Sequence, residues 1–157
     1  VRLFLLNILL AISWSALTGI ATLLNFLAGF LIGYLALAVS HPLLGDREYF
    51  RRVPRVLRLL LFFLKELVLS SLLAVHEVLS PKLHSRPRIV QVPLEIRDDN
   101  QILVLANLIS LTPGTLVLDV SPDRDALYVH TMFVDDPEAF RRDIREGFER
   151  QVMEAMS

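Results

Sequence analysis

The sequence predicts an α-helical membrane region followed by a small α+β domain. Two observations carry this: where the charges lie, and how the apolar spacing changes along the chain. Of 157 residues, 54% are hydrophobic and 21% charged, with mean hydropathy +0.51. That is too apolar for an ordinary soluble domain of this length, and the apolar residues are unevenly spread. Between Leu3 and Gly45 there is no Asp, Glu, Lys or Arg, only His41. From Pro81 to Ser157 there are nine basic and thirteen acidic residues, a composition typical of water-facing protein. The division is therefore a membrane region, 1–80, and an α+β C-terminal domain, 81–157. A net charge of −1 argues against a basic nucleic-acid binder. The absence of cysteine removes thiolate nucleophiles, Cys-ligated zinc and iron–sulfur clusters.

The charge-free run of 43 residues would be about 65 Å long as one helix, roughly twice the hydrocarbon thickness. It must fold back, and Thr18-Gly19-Ile20-Ala21-Thr22 is the best break because glycine takes a positive φ at little cost. Two short transmembrane helices in a hairpin follow, at about 3–17 and 23–40. A cleaved signal peptide fits poorly, since a second apolar helix comes next instead of a soluble segment. Gly29 and Gly33 form a GxxxG pair, a spacing that lets another helix approach closely. Trp14 and Tyr34 are candidate interfacial anchors. Asn7 and Asn25 are uncharged polar groups that need local or partner hydrogen bonds.

Asp46–Arg58 then carries Arg47, Arg51, Arg52, Arg55 and Arg58 against Asp46 and Glu48. By the positive-inside rule this is a cytoplasmic loop. The third helix, about 56–79, is long and apolar but contains Lys65, Glu66, His76 and Glu77. Lys65 and Glu66 would cost roughly 5–7 kcal/mol near a bilayer centre, against about 0.3–0.6 kcal/mol returned by each apolar residue. Insertion alone is marginal. Arg51, Arg55, Arg58, Lys65, Glu66, Ser70, His76 and Glu77 share an arc of roughly 140° at helical spacing. Leu69 and Leu73 interrupt it. The helix is either amphipathic and interfacial or transmembrane beside other subunits. If it spans, the following domain is outside; if it lies in the interface, that domain stays in the cytoplasm, and the charges interrupting the helix favour the second arrangement.

Pro81 and Pro87 bracket a linker with Lys82, His84, Arg86 and Arg88. Residues 89–96 alternate as a strand, with Pro93 marking an edge or bulge. Asp98-Asp99-Asn100 supplies an N-cap for a short, very apolar helix over 101–111, which needs a covering surface. Thr112-Pro113-Gly114 ends that helix and turns the chain. Strands over 115–120 and 127–134 form a hairpin around a 121–125 turn. Asp135-Asp136-Pro137-Glu138 opens a last helix, 137–156. The order is β-α-β-β-α. Asp119 and His130 face each other across the hairpin in this reading, but one carboxylate and one imidazole do not make a metal site. Asp123, Asp125, Asp135 and Asp136 belong to a turn and a helix start. No GxGxxG, Walker loop, HExxH or nucleophile elbow is present, so no catalytic residue, metal or cofactor is assigned.

The stretch Ala106-Asn107-Leu108-Ile109-Ser110-Leu111-Thr112-Pro113-Gly114-Thr115-Leu116, with Asp119-Val120-Ser121 and Leu127-Tyr128-Val129-His130, resembles the E subunit of Mrp-type (Mnh/Pha) multisubunit cation/proton antiporters. Phe63–Ser70, Val78–Pro81, Val90–Leu94 and Phe148-Glu149 add to the resemblance, which runs the length of the chain. It implies one small, non-catalytic subunit of a multi-pass complex in the bacterial inner membrane. That complex would exchange Na+ or another monovalent cation for H+ in sodium resistance and pH homeostasis. The partners implied are the other subunits and membrane lipid, with ion conduction carried by large subunits similar to those of respiratory complex I. An accessory and assembly role follows, with Thr112, Pro113 and Gly114 as a structural motif. The alternative makes Lys65, Glu66, His76 and Glu77 part of a proton or cation route at a subunit interface. A membrane-tethered enzyme is the third reading, and would need activity from the isolated domain 81–157.

Overall fold

The computed structural model describes residues 2–44, 48–80 and 85–157, with only the backbone of 41–44 and 48. Asp46 and Arg47 of the expected loop, the His41 side chain, and Pro81, Lys82 and His84 of the linker lie outside what is described. Helices α1 (Arg2–Thr18), α2 (Leu23–Leu44) and α3 (Glu48–Leu79) precede a β-α-β-β-α region. The chain forms two compact units, Val1–Pro54 and Arg55–Ser157.

In the first unit α1 and α2 are antiparallel. Gly19 makes the turn with φ +68°, and the Asn25 amide locks it, donating to Thr18 Oγ1 (2.7 Å) and the Ile20 carbonyl (2.8 Å). Trp14 Nε1 donates to Asn25 Oδ1 at 3.1 Å, so both residues are satisfied within the hairpin. The window Leu23–Ser40 is, among the described residues, the one long and apolar enough to cross a membrane, while α1 is a shorter apolar helix. The expectation of two such spans is thus met in length and composition by α2.

The reading of 46–58 as a loop needs correction. Helix α3 starts at Glu48, some eight residues before the expected 56, and runs through Pro54. An internal proline removes one hydrogen bond and crowds the preceding turn. Aromatic packing offsets this: Tyr49 stacks edge-on to Tyr34 and Phe50, with centroids 5.9 and 5.2 Å apart, and Phe4 lies 6.4 Å from Tyr49. Asn7 donates its amide to the Tyr49 hydroxyl at 2.8 Å, within the same cluster.

In the second unit β1 (Arg88–Pro93), β2 (Thr115–Val120) and β3 (Ala126–Thr131) form an antiparallel sheet ordered β1-β3-β2. Alternation decides the faces. The rows Val90–Val129–Val117 and Val92–Leu127–Val120 point inward, while Ile89–His130–Leu116 points outward. A bulge at Leu118 restores this phase before Asp119. Pro93 ends β1, an edge strand, where its missing N–H breaks no ladder bond. The Arg141 guanidinium covers that edge, donating to the Gln91 carbonyl at 2.8 Å.

Helix α4 (Asp99–Leu111) starts where the Asp98 carboxylate accepts from the N–H groups of Asn100 and Gln101. It buries Ile102, Leu105 and Ile109 on the sheet. Leu103 and Leu111, on its other side, are exposed within this chain. The last helix is not uniform: α5 (Pro137–Asp143) passes through a π-helical segment, Ile144–Glu149, into α6 (Arg150–Met156). Ile144, Phe148 and Val152 complete the core, and Leu59, Phe62 and Phe63 of α3 pack against it. The third strand is shorter than the expected 127–134, because the chain leaves the sheet after Thr131.

Candidate functional site: a cleft between α3 and the threonine–proline–glycine turn

The Thr112-Pro113-Gly114 turn is built by its own hydroxyls. Thr112 Oγ1 donates to the Ile109 carbonyl at 2.6 Å, and Thr115 Oγ1 lies 2.6 Å from the same oxygen. Both side chains thereby reinforce the Ile109 carbonyl at the end of α4, which also accepts the Thr112 N–H at 3.2 Å. Gly114 adopts φ +87°, and a Cβ there would collide with the Phe133 ring. Only glycine fits both demands.

This turn forms one wall of a cleft of about 550 Å³. The opposite wall is α3, through Phe62, Glu66, Ser70 and Leu73, and the π-helical segment supplies Ile144, Glu146, Gly147 and Phe148. Phe62 meets Phe148 edge-to-face, with centroids 5.1 Å apart. A Cβ at Gly147 would sit 2.9 Å from Phe62 Cζ, so glycine in the widened turn lets α3 come close. The structure therefore brings Glu66 to the same cleft as the threonine–proline–glycine turn.

The four ionisable residues of α3 do not form one group. Lys65 Nζ lies 3.1 Å from Glu66 Oε1 and 5.8 Å from the Phe62 ring centroid. His76 is exposed. Glu77 is buried, and its carboxylate accepts the Ser85 N–H at 2.7 Å. The two pairs stand three turns apart, about 16 Å along the helix. Asp119 and His130 are not partners either: β3 sets His130 opposite Leu116 and Tyr128 opposite Asp119, correcting the expected juxtaposition. Among the described residues no three His, Asp or Glu side chains are gathered as a metal site.

In the first unit Gly29 faces Trp14, with a hypothetical Cβ 2.8 Å from the Trp14 Cβ, and Gly33 faces Asn7 and Leu10. The GxxxG row is thus occupied by α1.

Glu149 is the residue that sequence reasoning assigned no task. It is fully buried, and its Oε1 accepts the N–H groups of Glu95 (2.6 Å) and Ile96 (3.0 Å), holding the chain beyond β1. Among the described residues its Oε2 has no hydrogen-bond partner. The signals in the sequence were the Phe148-Glu149 pair within the family resemblance and its place beside Phe148 and Val152 in the last helix.

The family described as Na+/H+ ion antiporter subunit matches residues 7–155. The E subunits of the Na+/H+ antiporters of Alkalihalophilus pseudofirmus and Bacillus subtilis are each 39% identical over 150 residues, covering 96% of this chain and 95% of theirs. A chain in the structure of the Mrp complex from a Dietzia species matches with TM-score 0.50 and 27% identity, over 66% of this chain and 96% of that one. A chain of the membrane-bound sulfane sulfur reductase, an archaeal respiratory membrane complex, matches with TM-score 0.51 and 28% identity, over 87% and 86% respectively. With the helical hairpin, the β-α-β-β-α order and the threonine–proline–glycine turn in place, the chain belongs to the E-subunit family of Mrp/Mnh Na+/H+ antiporters.

Proposed function

We propose that this chain is the E subunit of a multisubunit Na+/H+ antiporter in a bacterial inner membrane, acting in assembly and bracing rather than ion conduction. The observation that carries this reading is the closed contact between α1 and α2. No ionisable residue lies between Leu3 and Ser40 apart from Tyr34, and the glycine row that would admit another helix already holds Trp14, Asn7 and Leu10. Ion transfer through a bilayer needs ionisable or carbonyl ligands along a path. In this reading both helices cross the membrane, residues 1–80 form the membrane region, and residues 81–157 lie in the cytoplasm.

The sheet supplies the docking surface. Its helices cover one face, while Ile89 and Leu116 stand 62% and 49% exposed on the other beside His130. A neighbouring subunit that covers this row completes the two-layer packing a small sheet needs. Mild-detergent purification of the tagged chain tests the proposal: co-purification of several other membrane subunits supports it, and a lone chain or homo-oligomer overturns it. Ile89→Glu with Leu116→Glu is expected to release those companions while the chain itself stays folded.

A second reading rests on Glu66, half-buried at the cleft beside an exposed Lys65. Here the pair carries protons or cations at a subunit interface. Replacing both residues by Gln separates the readings. Antiport retained in the assembled complex favours the bracing role, whereas antiport lost with assembly intact favours an ion route.

A further inference from the structure

Helix α3 is sided in a way the charge count alone does not reveal. From Leu59 to Glu77 one face belongs to the α+β region: Leu59, Phe62 and Phe63 pack on the core, Ser70 and Leu73 share the cleft with the threonine–proline–glycine turn, and Glu77 caps Ser85. That strip is about 27 Å long at 1.5 Å per residue. At about 100° per residue, the face turned away from it holds Leu57, Leu61, Leu64, Val68, Leu72 and Val75. All six are 44–61% exposed.

Charge is sorted by side as well. Arg58, Lys65 and His76 stand in one exposed row along a border of the apolar stripe, at spacings of seven and eleven residues. The acids Glu66 and Glu77 lie on the far, domain-facing side, half-buried and buried respectively. Arg58 and Lys65 do meet carboxylates, Glu154 at 3.4 Å and Glu66 at 3.1 Å, but both basic side chains remain about two-thirds exposed. Such exposed pairs hold weakly in water and yield readily to phosphate.

A helix bound along one side to a region with a charged surface cannot be ringed by lipid, because exposed charges are costly in hydrocarbon. Only three residues separate α3 from α2, which holds the membrane-span candidate, so α3 begins next to the bilayer. We propose that α3 is an interfacial helix that lays its leucine–valine stripe into the acyl-chain boundary and presents Arg58, Lys65 and His76 to anionic lipid phosphates. The helix would thereby bind the α+β region to the membrane surface. This rests on the subunit reading only for the presence of a membrane.

The chain has no cysteine, so single substitutions report cleanly when the neighbouring subunits are also cysteine-free. Leu57→Cys, Val68→Cys and Val75→Cys, each carrying a bimane label, are compared in the full complex reconstituted into phosphatidylethanolamine vesicles containing about 30% phosphatidylglycerol. The expected result is equal quenching at all three positions by a shallow nitroxide lipid, at least threefold stronger than by aqueous iodide. Labels on Lys65→Cys and His76→Cys should show the reverse. A steady change of depth from 57 to 75 would mean a spanning helix and overturn the proposal. Stripe labels shielded from both quenchers would mean a protein partner and also overturn it. For the head-group part, Arg58→Gln with Lys65→Gln should halve lipid quenching at Val68→Cys in the anionic vesicles and leave it unchanged in vesicles of phosphatidylcholine alone. No change in either overturns anionic-lipid recognition. If the chain purifies without companions, the subunit reading fails, yet the same depths remain measurable on the lone chain.

Discussion

Among the described residues of the first compact unit, the side chains with no exposed surface are Asn7 and Ala11, while Leu9, Leu17, Leu24 and Val39 are 60–86% exposed. In the second, the fully buried side chains include Leu105, Ile109, Leu127, Val129 and Val152. One unit hides a polar amide and shows leucine outward; the other hides mostly aliphatic side chains, with Glu149 among them, and outside the leucine–valine side of α3 it shows charge. The same chain thus packs by two rules. Burying leucine stabilises a fold only where the alternative is water. Where the surroundings are lipid, close approach at glycine and interhelical hydrogen bonds replace it. Asn7 is the counterpart of Leu127: each lies at the centre of its unit, and they are held by different forces.

The largest test of this contrast removes a core side chain. Leu127→Ala should cost about 3 kcal/mol through lost burial and an unfilled cavity. Loss of near-UV signal at lower urea than for the parent chain checks it. Nearly as large is a charge placed on an outward leucine of each unit. Leu31→Asp should cost roughly 3 kcal/mol in membrane insertion, while Leu103→Asp should alter stability by under about 0.5 kcal/mol. Alkaline extraction of membranes reads the first, and urea titration the second. Equal effects would break the comparison.

Two smaller effects sharpen it. Removing the α4 cap with Asp98→Ala should destabilise the second unit by about 1 kcal/mol. The Leu127→Ala midpoint shift is the yardstick. Asn7→Ala removes a buried hydrogen bond from the first unit, where membrane amide contacts average about 0.6 kcal/mol. A steric-trap or denaturant assay in detergent should find that cost well below the Leu127→Ala value. A cost above about 2 kcal/mol, beyond the usual range for such bonds, would mean that Asn7 organises the hairpin far more strongly than a membrane hydrogen bond does.

Most of the architecture was legible where local chemistry decides it. Gly19, Asp98, the threonine–proline–glycine turn and Pro137 each set an element end within one or two residues of the expected place. The start of α3 was not legible, because the arginine cluster of Asp46–Arg58 reads as a loop and the aromatic contacts on the first turn of α3 come from Phe4 and Tyr34, distant in sequence. The cleft was half legible. Its turn and Glu66 were singled out separately, but nothing in their spacing says they meet. Glu149 was singled out only as part of the resemblance and with no role, since a lone acid in a helix of alternating Glu and Arg is ordinary until its surroundings are known.

By itself the sequence determined where water and lipid compositions change, most of the helices and strands, and that Leu3–Ser40 contains no Asp, Glu, Lys, Arg or His to conduct with. Those properties follow from side-chain chemistry and short-range periodicity. The tertiary structure alone decided that β3 lies between β1 and β2, that α1 fills the glycine row of α2, that Gly147 in a π-turn lets Phe62 reach Phe148, and that the leucine stripe of α3 faces away from the α+β core. Each of these is a contact between residues far apart in the chain. Their selection depends on which surfaces fit together, a property of the assembled fold that no local pattern contains.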